Sequence, residues 1–487
     1  MYRRSLIQCG LLQGLGLPSL ARAAPDNASD VCDVVIIGAG ISGLTAAALL
    51  AQAGINRVVV LESEPTIGGT SLISGGFWAV SETDLQKQFK VADSDEIFEE
   101  DIFRVGRHAN RPDVVQAFIR HNREHYEWVR TTLGVEPRAL VPGAGVRRSH
   151  AFDPRQLIAS LYRYVTAKGI AVLTNRRAAE LLLESGHVVG CRAMHQNRPS
   201  IFRARLGTLV ATGGFSRNRA LLAALSPRMQ FVSTIAHQGS RGDGLYMMRA
   251  LGAGLADVDY LEASYAFTLN PTTINDMSLL PYYGGIVVNL HSKRFVDESL
   301  PYKQLASAVI AQPSGKSWIV FDERIRRIAL GQKLDRRLWA PISEGRTPPY
   351  VHQGKTLEEV AAKAGLDPIE FQRTVDKYNE DIRAGAKPRG PISVGSGDLM
   401  PIASQPFFIM PATVCLLGTY GGVAINGRAQ VLDVHGKPIA GLYAAGEVTG
   451  GLHGASFIMG TAFGKANTFG RIAALSLLED SLLEDLS

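Results

Sequence analysis

The chain has 487 residues, 46% of them hydrophobic, enough to bury a large core divided between two domains. Its formal net charge of +6 is mild, half of it carried by Arg3, Arg4 and Arg22 in residues 1–23, and no basic run is interleaved with aromatics, which argues against nucleic acid as a partner. Cys9, Cys32, Cys191 and Cys415 are scattered without a CxxC pair and read as buried thiols, not as a disulfide scaffold or metal site.

Tyr2-Arg3-Arg4-Ser5-Leu6-Ile7 places a twin arginine before an apolar pair. A Gly/Leu-rich stretch from Leu11 to Leu20 follows, then the small-x-small site Ala21-Arg22-Ala23. This pattern predicts a twin-arginine signal peptide over residues 1–23 and a periplasmic mature protein. The apolar stretch is too short to span a bilayer, and no other segment reads as a membrane span.

Val31 to Ile37 is a short apolar, β-branched run of the kind a buried parallel strand needs. Gly38-Ala39-Gly40-Ile41-Ser42-Gly43 follows at once, and Leu44 to Gln52 reads as helix. Gly38 suits the tight turn, Gly40 lets backbone approach a pyrophosphate, and Gly43 permits close helix–strand packing, while the helix N-terminus around Ser42 offers N–H donors to phosphates. Arg57 to Leu61 reads as the second strand. Glu62 ends it about 20 residues after the glycines, where a carboxylate accepts bonds from a ribose diol. An acid there, not an arginine, points to FAD or NAD over NADP.

The next segment, Gly68-Gly69-Thr70-Ser71-Leu72-Ile73-Ser74-Gly75-Gly76-Phe77-Trp78, resembles the loop with which flavin oxidoreductases wrap the pyrophosphate and pass under the flavin ring. Leu209-Val210-Ala211-Thr212-Gly213-Gly214-Phe215 resembles the strand that returns to the dinucleotide. Gly441-Leu442-Tyr443-Ala444-Ala445-Gly446-Glu447 resembles the closing FAD motif, followed by Gly450-Gly451-Leu452-His453-Gly454-Ala455 running past the flavin. These motifs, in order across nearly the whole mature chain, resemble the FAD-dependent fumarate reductase and 3-ketosteroid dehydrogenase superfamily. The resemblance implies an α/β fold: a Rossmann-like FAD domain of the glutathione-reductase type over 31–264 and 420–487, with an inserted α+β clamp domain over 265–419. It implies cofactor contacts at Gly38, Gly40, Ser42, Gly43, Glu62, Gly68, Gly69, Thr70, Ser71, Ser74, Gly75, Gly76, Ala211, Thr212, Gly213, Gly446, Glu447 and His453. Succinate dehydrogenases carry a flavin-linked histidine in the loop equivalent to 70–76, and this chain has none there, so the FAD is expected to be noncovalent.

In the clamp, Gly285-Ile286-Val287-Val288-Asn289 reads as strand and Lys293 to Glu298 as its hairpin continuation. Thr356 to Ile382 reads as helices, 385–401 as linker, and the loops at 138–150 and 330–350 as gating candidates. The resemblance also shows departures. Where fumarate reductases place the proton-donating arginine, four residues past Glu298, stands Tyr302. Their relay Glu and Arg fall at Ser278 and Pro281, the carboxylate-binding His at Leu417 or Gly418, and the second carboxylate-binding Arg at Phe457. Burying a dicarboxylate without those charges costs several kcal/mol per charge.

The pattern therefore implies an apolar ketosteroid-like or aromatic substrate, which 3-ketosteroid dehydrogenases handle with a catalytic Tyr in the Asn-Glu-x-x-Pro-Tyr turn. Tyr302, Tyr420 and Gly460 are the catalytic candidates, and Tyr282, Tyr283, Leu417, Ser456, Phe457 and Met459 the substrate-pocket candidates; no metal is expected. Dehydrogenation with electrons passed to a cytochrome c or quinone is taken first, a periplasmic ene reductase fed by a separate cytochrome c second, and an electron-relay subunit without its own substrate third. His125 and Tyr126, on a helix over 112–133, are read as surface or core.

Overall fold

The computed structural model describes residues 30–143, 146–332, 335–385 and 400–484. The twin-arginine segment and most of the linker at 385–401 lie outside them.

The β-branched run Asp30–Ile37 forms the middle of an eight-stranded sheet, with Val34 to Ile37 at most 3% exposed. It pairs in parallel with Val58–Leu61 on one side and Arg198–Val210 on the other. Ala171–Leu173 and Pro438–Ala444 extend the parallel set outward, and Gln430–Leu432 closes one edge antiparallel. The helix Ile41–Gln52 is buried along almost its whole length, because it lies between the helices Pro154–Ala167 and Thr461–Glu484. That double coverage is why it carries small and apolar residues all round instead of a single stripe. At its crossing with the last helix, a side chain on Gly470 would meet the Ser42 carbonyl at 2.4 Å.

A second sheet is organised on the ten-residue strand Phe407–Leu416. It pairs antiparallel with Ser317–Asp322, Ser264–Phe267 and His352–Gly354, and in parallel with Ser233–Thr234. The helices Tyr302–Ile310, Glu323–Gly331, Arg336–Ser343, Leu357–Lys363 and Pro368–Arg383 surround it. Phe321 stacks on Phe408 at 5.1 Å, with Trp339 edge-on at 5.0 Å, so aromatic packing joins sheet to helix. The strand ends at Leu416, and the next residues, Leu417 to Tyr420, cross from this sheet towards the first.

Two local expectations are revised. Residues 138–150 are not a loop: Ala139–Gly143 and Val146–Ala151 form a hairpin that adds Phe77–Ala79 as a third strand, anchored by buried Arg148 on Asp93 and Asp101. Likewise 330–350 contains the helix Arg336–Ser343. The Lys293–Glu298 segment turns back on Ile286–Val288 through one antiparallel bridge, Val288 with Arg294, and does not continue as a strand. The buried Glu298 carboxylate accepts the Val287 N–H at 2.8 Å, the donor a further strand would have used, and pairs with Arg294 four residues back. His125 and Tyr126 are core residues of the helix Pro112–Leu133, packed against Trp78. Cys32, Cys191 and Cys415 are buried and unbridged. Among the described residues, no helix is long and apolar enough to cross a membrane.

Candidate active site

Steric constraints build the nucleotide cradle. Gly38 sits at φ +112°, where a side chain would meet the Ala211 carbonyl at 2.3 Å, and Gly43 approaches the Gly38 carbonyl at 2.0 Å from its would-be Cβ. These two glycines close the strand–turn–helix unit, whereas Gly40 at φ −74° has no atom nearer than 3.9 Å to a Cβ placed on it. The helix it caps has no side-chain cap of its own; only Ser71 Oγ accepts from Ile41 N–H, at 3.4 Å. Open space beside Gly40, Gly69 and Gly213 meets a helix N-terminus with donors to offer, an arrangement that suits a phosphate.

Glu62 accepts the N–H groups of Ala39 and Glu64, each at 3.0 Å, which fixes its carboxylate at the end of its strand beside the turn. Ser74 Oγ bonds the Ser71 carbonyl and accepts the Gly76 N–H, and Thr70 Oγ1 accepts from His237 N–H. Gly68, Gly69 and Gly76 take left-handed backbone angles around this loop, and Gly75 is packed by the Phe77 ring. Ser42 lies against Gly446, and the partly buried Glu447 carboxylate accepts Thr419 N–H at 2.9 Å beneath Gly214. Burial raises the Glu447 pKa. Thr212 Oγ1 and His453 Nε2 are buried polar atoms without a hydrogen-bond partner. Burial and the Lys465 and Lys303 charges hold His453 well below the usual imidazole range, so its ring is neutral. The cradle and these unpaired polar atoms fit a bound FAD.

Tyr420, His453 and Phe457 converge. Tyr420 and Phe457 stack at 4.4 Å, and the His453 ring meets both edge-on at 5.8 and 5.9 Å. Tyr302 opens its helix on the opposite wall; burial, reinforced by the negative charge of Glu262, pushes its phenol up to about 12. Ser456 Oγ donates to Glu262 at 2.8 Å. Gly460, at φ +94°, accepts Ala79 N–H through its carbonyl, and Ser149 Oγ donates to the Met459 carbonyl.

The other pocket candidates have structural partners. Tyr282 donates its hydroxyl to the Leu300 carbonyl, Tyr283 donates to the Asp335 carboxylate, and Leu417 packs on the small cluster of Ile235, Phe267 and Cys415. Ser278, at the position of the relay Glu, also donates to Asp335.

Two charged residues that sequence reading did not single out stand in this site. Lys303, 5% exposed, places Nζ 4.7 Å from the Phe457 ring centroid, 4.8 Å from that of Tyr420 and 5.8 Å from that of Tyr302. It donates to the Glu262 carbonyl at 3.1 Å, and among the described residues it forms no ion pair with a carboxylate within 4.0 Å. Glu262 is the second. Nothing in the sequence pattern marked Lys303, because neighbouring helix residues do not share a face; its place in the site is set by the tertiary packing of the three rings around it. Behind the 450–454 loop, Asp257 accepts the Gly451 and Gly454 N–H groups at 2.7 and 3.2 Å, and buried Lys465 donates to the Thr449 carbonyl at 2.7 Å. Both hold the glycine-rich turn that carries His453.

Residues 33–462 match the family described as FAD binding domain. The chain is 30% identical over 479 residues to NADH:fumarate oxidoreductase of Klebsiella pneumoniae, covering 93% of this chain and 49% of that protein, so it spans about half the length of that relative. It is 26% identical to 3-oxosteroid 1-dehydrogenase of Mycobacterium tuberculosis over 92% of this chain and 98% of that one. Among solved structures, the open conformation of a flavocytochrome c3 fumarate reductase superimposes with a TM-score of 0.78 at 27% identity, covering 93% of this chain and 79% of that one.

Proposed function

The chain belongs to the FAD binding domain family of oxidoreductases, and from that premise we propose that it reduces a C=C bond conjugated to the carbonyl of an apolar, ketosteroid-like or aromatic substrate. The observation that carries this reading is the partly buried Tyr302 ring, set across the Lys303 head from the stacked Tyr420 and Phe457, with burial and the Glu262 charge disfavouring its phenolate. Disfavouring the phenolate makes Tyr302 a poorer base, so giving a proton to the strongly basic enolate carbon suits it better than taking one.

FAD, when bound, supplies hydride exchange with the substrate β-carbon. Tyr302 Oη–H delivers the proton to the α-carbon. The Tyr420 and Phe457 rings orient a flat apolar substrate and exclude water, stabilising it by about 25 cal/mol per Å² buried. Glu62, the Gly38–Gly43 turn and the Gly68–Gly76 loop hold the cofactor, noncovalently because residues 70–76 contain no histidine. In this reading the two sheets are the FAD unit and the clamp that closes on the substrate. Export through the twin-arginine signal and electron delivery by a cytochrome c or quinone complete it, in keeping with the flavocytochrome relative.

The 3-oxosteroid 1-dehydrogenase relative supports the reverse reaction as the second reading, since the same residues run it backwards with Tyr302 as base. One anaerobic experiment separates them. The flavin is reduced with dithionite, and enones, aryl enones and fumarate are added in turn while its reoxidation is followed. Reoxidation by enones supports the proposal. Bleaching of the oxidised flavin by a saturated ketone, without enone reduction, puts dehydrogenation first, and reoxidation by fumarate alone removes the apolar substrate.

A further inference from the structure

A buried ammonium without a carboxylate at contact distance is costly. Removing an ammonium from water carries a penalty of several kcal/mol, which aromatic faces offset by only about 0.5–2 kcal/mol. Lys303 is in this position: one donor goes to the Glu262 carbonyl, and the rest of its head is surrounded by the Phe457, Tyr420 and Tyr302 rings. The charge nearest in effect is the Glu262 carboxylate, which is turned to Ser456 Oγ.

At the positions of the fumarate reductases' carboxylate-binding arginine and histidine this chain has Phe457 and Leu417 or Gly418, which bring no charge. The fold returns one cation to that spot from the opposite wall, since Lys303 reaches Phe457 from the helix Tyr302–Ile310. Although neighbouring helix residues do not ordinarily share a face, Lys303 Nζ lies 5.8 Å from the Tyr302 ring centroid, so a substrate whose α-carbon meets the Tyr302 hydroxyl has its carbonyl oxygen one bond further on, within reach of the ammonium.

We propose that Lys303 is the oxyanion-stabilising residue of this site, with its ammonium donating to the substrate carbonyl oxygen as that oxygen takes on enolate charge. The inference rests on the ene-type reading of the preceding section and names the donor that reading needs. With hydride arriving at the β-carbon, the C=C π pair shifts between the α-carbon and the carbonyl carbon while the carbonyl π pair moves onto oxygen, where Lys303 Nζ–H stabilises the enolate charge. The shifted C=C pair then forms the α-carbon–hydrogen bond with the Tyr302 proton as the carbonyl re-forms, and the phenolate takes its proton back from solvent. Lys303 neither gains nor loses a proton over the cycle. A single cation compensated by Glu262 suits a neutral ketone that becomes anionic only in passing, and does not suit a dianion.

Groups facing the lysine from the packed elements are Glu262, Tyr302, Tyr420, His453 and the Cys415 thiol. Burial lowers the Lys303 pKa to about 8, so the charged form that the role requires is lost as pH rises through that value.

The test uses the FAD-loaded protein and 4-nitrophenol, whose phenolate mimics an enolate. Its absorbance reports its own ionisation, whatever the natural substrate. In the wild type the bound probe is expected to be ionised below its free pKa, and in Tyr302→Phe this remains. In Lys303→Met the binding of the phenolate falls at least tenfold, and Lys303→Arg restores part of it. With a reducible enone, Lys303→Met lowers kcat by about 10² to 10³ with little change in KM, and the decline of rate above pH 8 disappears. Equal phenolate binding by wild type and Lys303→Met, or no phenolate binding by the wild type, overturns the assignment. Enone reduction that survives in Lys303→Met at full rate overturns it while leaving the ene-type reading in place; a wild type inert to every enone and ketone defeats that reading instead, and the phenolate result still judges Lys303.

Discussion

Phe457 lies flat against Tyr420, with ring centroids 4.4 Å apart and planes 18° from parallel, although 37 positions separate them in the chain. Tyr420 holds this pose from a left-handed backbone conformation at φ 55°, unusual for an aromatic residue. The stack forms one wall of the site, and the helix beginning at Tyr302 forms the other. What the site does follows from how those two walls are held and charged.

Tyr302→Phe removes the hydroxyl proposed as proton donor and little else, because the phenyl body keeps its packing. Turnover should fall by about 10² to 10⁴ while the flavin spectrum and FAD content stay as in the wild type. Steady-state rates with a reducible enone and the absorbance of the purified variant decide it, and unchanged turnover would end the role of Tyr302.

Gly38 and Gly40 should separate folding from cofactor binding. Gly38→Ala forces a side chain into the Ala211 carbonyl from a backbone angle costing about 1–3 kcal/mol in itself, so the apoprotein should lose stability as well as FAD. Gly40→Ala meets no protein atom within 3.9 Å, so apoprotein stability should change by less than about 0.5 kcal/mol while FAD affinity drops. Thermal melts of the apoproteins and FAD titrations read the two effects apart; parallel behaviour of the variants would contradict the cradle assigned here.

Asp335 supports the catalytic wall from behind. Its carboxylate accepts from Ser278, the Leu279 N–H and the Tyr283 hydroxyl, and Tyr282 beside it fixes the Leu300 carbonyl, two residues before Tyr302. Asp335→Ala leaves several buried donors unpaired and should cost about 2–4 kcal/mol, with a loss of turnover. Tyr283→Phe removes one of those bonds and should cost about 1 kcal/mol. Denaturant unfolding of the two variants checks the order, and an Asp335→Ala no weaker than Tyr283→Phe would refute it.

Lys465 gives a pH signature. Burial lowers its pKa from 10.5 to about 8, against the opposing pull of Asp257 and Glu447. Between those two values the unfolded chain binds the extra proton, so this group makes stability rise with pH from about 8 to 10.5 and adds no slope below or above. Relative to Lys465→Met, the wild-type apoprotein should therefore gain on the order of 2 kcal/mol between pH 7.5 and pH 10. Denaturant unfolding at the two pH values measures the difference, and identical pH dependence in both proteins would disprove the shift.

The sequence by itself determined the FAD unit, because its constraints are local and steric. Gly38, Gly43 and Glu62 lie within one strand–turn–helix–strand unit, and each residue type is dictated by backbone approach or by the end of a strand. It also placed Tyr302, through the turn that begins at Arg294. The tertiary structure alone decided that a cation stands among these rings, that the Glu262 charge is the one felt there, and that the Tyr283 hydroxyl bonds Asp335. Lys303, Tyr420 and Phe457 come from three distant segments, and no periodicity links them. A hydrophobic pattern reports which face of an element is buried, whereas the partner a buried charge meets is set by how separate elements pack, here by the strand Phe407–Leu416 delivering Tyr420 opposite the helix Tyr302–Ile310.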